Sequence, residues 1–246
     1  MARRRFFVDA ILQSRAVLAG EDALHLRRVL RAEIGQRYEL SDNRSVYLAE
    51  IDALAKDRVS FRILEEIAAP APPVRLTLLL ALIKFDRFEW ALEKATELGV
   101  DAVLPVTTER SEKGLERAAA KRLDRWRRIV RESSQQARRA HLPEVLPPAA
   151  LGDVLAGGAS YSWFLEEQSD ACPILAALPA RRQNSDEVRL LVGPEGGFTD
   201  VERVRAREAG WTPVSLGSNI LRSETAAIAA VAVISSAWLD SGRTAA

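Results

Sequence analysis

The sequence predicts an α/β protein in two parts: a small, mostly β domain over residues 1–67 and a larger parallel-sheet domain over residues 74–246. Three observations carry that reading. The segment Ala68-Ala-Pro-Ala-Pro-Pro73 removes backbone donors and favours extended chain, so it reads as a semi-rigid linker. Before it lie short runs with period-two alternation. After it, apolar runs alternate with helical patterns, the rhythm of a parallel sheet with helical crossovers.

In the first part, β-like runs fall at residues 5–8, 36–40, 46–51 and 59–63, where Val59, Phe61 and Ile63 alternate with polar neighbours. One helix is expected there, residues 22–30, with Asp22 as its cap. Spacing alone makes this domain a small β barrel or sandwich. In the second part, residues 74–83 are almost continuously apolar, as in a parallel strand buried on both faces. A helix over 86–98, a strand over 100–106 and a long basic helix over 118–138 follow. Strands are then expected at 161–165, 188–192 and 214–216. The closing helix, 223–239, is rich in Ala, Ile and Val nearly all round. A helix without a polar face is buried, either in a core or in a subunit interface.

Composition narrows the class. Apolar residues make up 48% and charged residues 28% of the 246 positions, values of a soluble globular protein. No apolar run approaches the roughly 20 residues that span a bilayer. The start, Met-Ala-Arg-Arg-Arg-Phe-Phe, leads into no long apolar stretch, so no signal peptide is expected and the chain is assigned to the cytoplasm. One cysteine, Cys172, excludes an internal disulfide and fits a reducing compartment. With two histidines beside it, a Cys/His zinc site is out of reach, and no acidic cluster points to another metal.

Net charge is only +1, but it is sorted. Residues 1–31 carry seven arginines against three acids, and residues 109–141 carry eleven Lys/Arg against five acids. A single Arg-rich helix is usually a solvated face. Two basic stretches in one modest chain point to a polyanionic partner.

The chemistry lies in the last quarter, in Leu191-Val-Gly-Pro-Glu-Gly-Gly-Phe-Thr199 and Leu216-Gly-Ser-Asn-Ile-Leu-Arg-Ser-Glu-Thr-Ala226. Each follows a β-like run and leads into a helix. Gly193, Gly196, Gly197 and Gly217 carry no Cβ, so backbone can approach a flat ligand closely. Thr199 followed by Glu202 is a capping box, which starts a helix there. Either segment alone is an ordinary turn of an α/β sheet. The pair is a candidate binding edge.

The wording of these segments resembles the SPOUT class of RNA methyltransferases, and within it the RsmE family, which methylates N3 of a uridine in 16S ribosomal RNA. The similarity extends to His25-Leu-Arg-Arg-Val-Leu-Arg31, Lys94-Ala-Thr-Glu-Leu-Gly-Val100, Glu109-Arg-Ser111 and residues 136–143, in order along nearly the whole chain. It implies a C-terminal trefoil knot holding S-adenosylmethionine, an N-terminal PUA-like barrel and a homodimer that acts on 16S rRNA within the assembled small ribosomal subunit. Carried onto this chain, the cofactor loops comprise Leu165 and Glu166, Val192, Gly193, Pro194, Glu195, Gly196 and Gly197, then Leu216, Gly217, Ile220, Leu221, Glu224, Thr225 and Ala226.

The resemblance places RNA contacts at Arg4, Arg27, Arg28 and Arg31, and RNA or active-site contacts at Lys84, Arg110 and Arg139; plain surface ion pairs are the alternative for each of the last three. Residues 27 and 31 stand one helical turn apart, suited to neighbouring phosphates. Arg222 is the catalytic candidate, stabilising negative charge on the uracil oxygens, or else contacting a phosphate or the cofactor carboxylate. Glu224 either faces the ligand or places negative charge in the first turn of the last helix. The family carries an acid just before the glutamine matched by Gln136; this chain has Gln135 there. Other readings are a SPOUT enzyme acting on a ribose 2′-hydroxyl and a non-catalytic RNA-binding assembly factor. A dinucleotide-binding dehydrogenase would need a glycine fingerprint after its first strand, which is missing.

Overall fold

The computed structural model describes residues 4–69, 71–168 and 171–241. Residues 1–3 of the basic start, Pro70 of the linker and residues 242–246 lie outside the described residues. Two compact units emerge: the described residues before Ala71 together with Arg131–Leu142, and Ala71–Val130 together with those from Pro143 onward.

The first unit contains β1 (Arg5–Phe7), β2 (Ile11–Leu12), β3 (Arg15–Ala19), α1 (Gly20–Arg28), β4 (Arg37–Ser41), β5 (Val46–Leu54) and β6 (Arg58–Ile67). They form a curled six-stranded sheet in the order β1-β4-β5-β6-β3-β2, antiparallel except where β1 meets β4. Phe6, Leu18, Leu26, Leu40, Ile51 and Phe61 fill its core, with Tyr38 edge-on to Phe6 and Phe61. The β2–β3 hairpin was not expected from sequence. Its turn residues Gln13 and Ser14 take φ of +49° and +59°, a conformation usually marked by Asn-Gly.

The helix of this unit corrects two expectations. It begins at Gly20 and ends at Arg28, so Asp22 lies in its first turn and is not its cap. Ala32 N donates to the Leu26 carbonyl at 3.1 Å and Arg31 is left-handed with φ +51°, which closes the helix. Arg31 therefore does not stack one helical turn above Arg27.

Residues 131–142 fall in the interval expected for the second domain, yet they pack with the first unit. Arg131 Nε and Gln135 Nε2 each donate to Asp22 Oδ2 at 3.0 Å. Glu39 accepts from Arg5 Nη2 at 2.8 Å and from Arg138 Nη2 at 2.7 Å. An acid at position 135 would set one carboxylate against another at Asp22, so the amide is the residue that fits there.

The second unit is a sheet whose strands all pair in parallel. Its elements are β7 (Arg75–Ala81), α2 (Phe85–Glu97), β8 (Ala102–Thr107), α3 (Leu115–Ala120), α4 (Leu123–Gln136, of which the residues to Val130 belong here), β9 (Glu144–Val145), β10 (Ala149–Ala150) and α5 (Leu151–Val154). There follow β11 (Tyr161–Leu165), β12 (Cys172–Pro173), α6 (Ile174–Ala177), β13 (Glu187–Val192), α7 (Asp200–Glu208), β14 (Thr212–Ser215) and α8 (Ser223–Ser241). The order is β10-β8-β7-β13-β11-β14-β12, with β9 also on β8.

Alternation along β7 sends its residues to two cores, as a doubly covered strand requires. Leu76, Leu78 and Leu80 join Phe88, Trp126, Ile234 and Trp238 on one face. Leu79 joins Phe164, Leu191, Phe198 and Trp211 on the other.

The long basic helix expected over 118–138 is two helices. Arg122 N donates to the Ala119 carbonyl, a turn one residue tighter than α, at 2.8 Å. The Arg122 guanidinium then lies 4.2 Å from the Phe85 ring centroid and pairs with Glu89 at 3.0 Å, which fixes the break. Arg125 pairs with the same Glu89 and Arg127 with Asp124, so much of this basic stretch is answered within the protein.

Candidate functional site

Parallel strands end on one edge of a sheet, and ligands of open α/β sheets sit beyond those carboxyl ends. Here the loops after β11, β13 and β14 enclose a cleft of about 340 Å³. Leu165, Glu166, Val192, Gly193, Pro194, Glu195, Gly197, Leu216, Gly217, Ile220, Leu221, Arg222 and Ala226, all singled out from sequence, line it. Phe198, Asn219 and Ser223 of the two glycine-bearing segments also line it, and so do Arg87 and Glu167, which were not anticipated.

The loop after β13 is shaped by its glycines and its cap. A Cβ on Gly193 would stand 3.0 Å from the Phe198 ring, which is buried edge-on to Phe164. Only glycine lets that ring close beneath the loop. Gly197 N donates to the Pro194 carbonyl at 2.8 Å, completing a turn. Thr199 then caps α7 with the expected box: its hydroxyl accepts from Glu202 N, and Glu202 Oε2 accepts from Thr199 N at 2.8 Å. The other Glu202 oxygen accepts from Glu109 N at 2.8 Å, tying the loop after β8 to the start of α7. In the loop after β14, Gly217 has φ +131°, where any side chain is strained.

Three expected cofactor residues are not among the lining. Gly196 faces the Arg110 side chain, whose Cδ a Cβ there would meet at 3.4 Å. Thr225 is exposed in the first turn of α8. Glu224 is buried; its Oε1 lies 3.9 Å from Arg87 Nε, and its Oε2 has no hydrogen-bond partner among the described residues. Glu166 does line the cleft, but its carboxylate is bound to Arg203, so backbone is what it offers a ligand. That buried pair holds the Arg203 guanidinium above its usual pKa, Glu166 contributing most. The polar side chains left facing the cleft include Arg87, Arg222, Glu167 and Glu195, with Arg87 and Glu195 ion-paired. The Arg222 carbonyl accepts from Ala226 N at 2.8 Å, so α8 begins directly after it and the exposed side chain stands at the cleft.

The basic candidates divide between the units. In the first, Arg4 Nη1 lies 3.3 Å from His25 Nε2, and Arg28 and Arg31 are exposed. Arg27 Nη1 donates to the Ala55 and Lys56 carbonyls at 2.5 and 2.8 Å, closing the turn between β5 and β6. Arg139 Nε donates to the His141 carbonyl at 3.3 Å. In the second, Lys84 is the exposed residue preceding α2, and Arg110 Nη1 donates to the Gly196 carbonyl at 2.6 Å. Arg87 had one signal in the sequence: a cation in a first helical turn, against the macrodipole. Among the described residues no group of acids, His and Cys could hold a metal, and no helix is long and apolar enough to cross a membrane.

Residues 70–235 match the family described as an RNA methyltransferase domain. Over 231 residues the chain is 33% identical to the Ribosomal RNA small subunit methyltransferase E of Synechocystis sp., an alignment covering 92% of this chain and 74% of that protein. The crystal structure of a Ribosomal RNA small subunit methyltransferase E from Neisseria gonorrhoeae bound to S-adenosyl methionine superposes with a TM-score of 0.85 at 32% identity, covering 96% of this chain and 98% of that one. A protein from Legionella pneumophila, in complex with the bound cofactor SAM, superposes with a TM-score of 0.86 at 28% identity and the same coverage.

Proposed function

This chain belongs to the ribosomal RNA small subunit methyltransferase E family, and we propose that it methylates N3 of a uridine in 16S rRNA, using S-adenosylmethionine bound in the cleft. The observation that carries the reading is the convergence of three separate loops on one cleft of about 340 Å³, with backbone at its walls. Backbone N–H and C=O groups match the donor and acceptor edges of adenine, and at Gly217 an added Cβ would meet nothing within 4 Å, so the wall there is bare backbone beside open space. S-adenosylmethionine supplies a methyl group activated by a sulfonium, without a metal. Glu167 brings negative charge to the cleft that receives that cation.

N3 of uridine carries a weakly acidic proton on the Watson–Crick edge, so the base must be unpaired or flipped to be reached. Neither His25 nor His141 lines the cleft. We assign to Arg222, whose exposed side chain lines the cleft, the stabilisation of charge that develops on the uracil oxygens. Its test is Arg222→Ala against Arg222→Lys. Cofactor affinity should hold in both, while methyl transfer at saturating cofactor falls by about 10²-fold or more in the alanine variant. Mass mapping of rRNA nucleosides that places the methyl group on a ribose would remove the uracil-N3 reading.

The remaining parts of the reading rest on the family. They are a trefoil knot in the second unit, a PUA-like fold and RNA contacts by Arg4, Arg27, Arg28, Arg31 and Arg139 in the first, contacts by Lys84 and Arg110, a cytoplasmic location and action on the assembled small subunit. Homodimerisation has support in α8. Its core-facing side holds Ala227, Ala230, Ile234 and Trp238, yet Ile228, Ala229 and Ala232 on its other side are apolar too, and Leu239 is exposed. A second copy of this chain would cover that side; sedimentation showing a monomer at micromolar concentration would count against it.

A further inference from the structure

Among the cleft residues, Arg87 occupies the least favourable place for its charge. It lies in the first turn of α2, where the helix presents its positive end. Two carboxylates from different segments of the chain answer it. Glu195, half exposed, reaches it from the loop after β13, and Glu224, with its side chain 5% exposed, reaches it from the first turn of α8. Three charges thus run from solvent to core in the order Glu195, Arg87, Glu224.

The two carboxylates belong to the two glycine-bearing segments. Glu195 sits within the turn that Pro194 and Gly197 close, and Glu224 follows the loop 216–222 by two residues. Glu224 is the fixed end: it is buried, and Oε2 lacks a hydrogen-bond partner among the described residues. A buried carboxylate so placed needs a nearby cation, and Arg87 is 3.9 Å away. Arginine suits the task, because its planar fork can face two carboxylates at once and a lysine point charge cannot hold the same geometry.

We infer that Arg87 is a positioning residue: it fixes the loop after β13 against the start of α8, and so sets the spacing at which the two walls present backbone to the cofactor. This rests on the reading of the cleft as the S-adenosylmethionine site. Its effect belongs to ground-state binding, because the side chain acts through loop position rather than on the reacting atoms. Loss of Arg87 should raise the cofactor KM and leave kcat at saturating cofactor nearly unchanged.

The test is calorimetry and steady-state kinetics with S-adenosylmethionine on the full chain and on Arg87→Met, Arg87→Lys, Glu195→Gln and the Arg87→Met/Glu195→Gln double variant. Arg87→Met should weaken cofactor binding about tenfold, with kcat within about twofold. Arg87→Lys should recover part of the loss. The double variant should bind no worse than Arg87→Met alone, because Glu195 then has nothing to hold. Arg87→Met/Glu224→Gln removes the uncompensated buried charge and keeps the measurement meaningful where the single variant unfolds; it should melt near the native temperature and still bind weakly. Unchanged affinity in that variant or in Arg87→Met would overturn the inference. So would strictly additive losses in Arg87→Met and Glu195→Gln, which would mean that the two residues meet the ligand separately. A native protein that binds no S-adenosylmethionine would instead bring down the reading of the cleft, and this inference with it.

Discussion

The Arg110 guanidinium donates to the Gly196 carbonyl at 2.6 Å, and its aliphatic stem passes 3.4 Å from where a Cβ on Gly196 would stand. The family resemblance implies an RNA or active-site contact for Arg110. In this protein it is also a strut that joins the loop after β8 to the cleft loop, beside the Glu109–Glu202 hydrogen bond. Arg110→Ala should weaken cofactor binding by about threefold to tenfold, the net worth of one ordinary hydrogen bond at an exposed site. The slope of log RNA affinity against log salt should stay where it was. A slope flattened by about one unit with cofactor affinity intact would return Arg110 to the RNA.

The arginines of the His25–Arg31 segment separate in the same way. Arg27 spends its donors on the Ala55 and Lys56 carbonyls, whereas Arg28 and Arg31 are exposed. Arg27→Ala should cost about 1 kcal/mol of stability in denaturant unfolding and leave the salt slope alone. Arg28→Ala with Arg31→Ala should spare stability and flatten the slope by up to about two units where both touch phosphate. Titrations of rRNA binding at four salt concentrations would distinguish the two sets.

Glu89 predicts a pH dependence. Arg125 binds both of its oxygens at 2.8 Å, Arg122 adds a third contact at 3.0 Å, and the guanidiniums hold its carboxyl below the usual carboxylate range. A depressed folded pKa contributes stability that is fully present above the unfolded value, near about 4.3, and is lost as pH falls through the folded value. Urea midpoints should therefore decline below about pH 4.3 in the native protein, and less steeply in Glu89→Gln. Parallel curves for the two would show that other carboxylates carry the acid sensitivity.

Features with local causes were legible before the structure. Residues 161–165 were expected as a strand, and β11 is Tyr161–Leu165, because five residues between turn signals leave little choice of register. The Thr199–Glu202 box and the glycine-bearing loops were also legible, since each is dictated within a few residues. Arg87 was missed because its role is set by Glu195 and Glu224, more than a hundred positions away. The Gln13–Ser14 turn was missed because neither residue announces a left-handed backbone. Arg122, Arg125, Arg131 and Arg138 read as a surface for polyanions, yet Glu89, Asp22 and Glu39 answer them inside the protein. Charge runs show sign, and only the fold shows who spends it.

The first unit is discontinuous in sequence, and that sets an order on its completion during translation. Asp22 and Glu39 emerge from the ribosome early, but Arg131 and Arg138 arrive only after Ala71–Val130 has been made. Until then Asp22 lacks its arginine and Glu39 has Arg5 alone. The cleft closes later still, because β7 must wait for β13, and the walls for residues 216–222 and α8. Most of the chain is thus made before either unit is whole. Translation stalled at residue 130 would leave a partial first unit and no cleft at all.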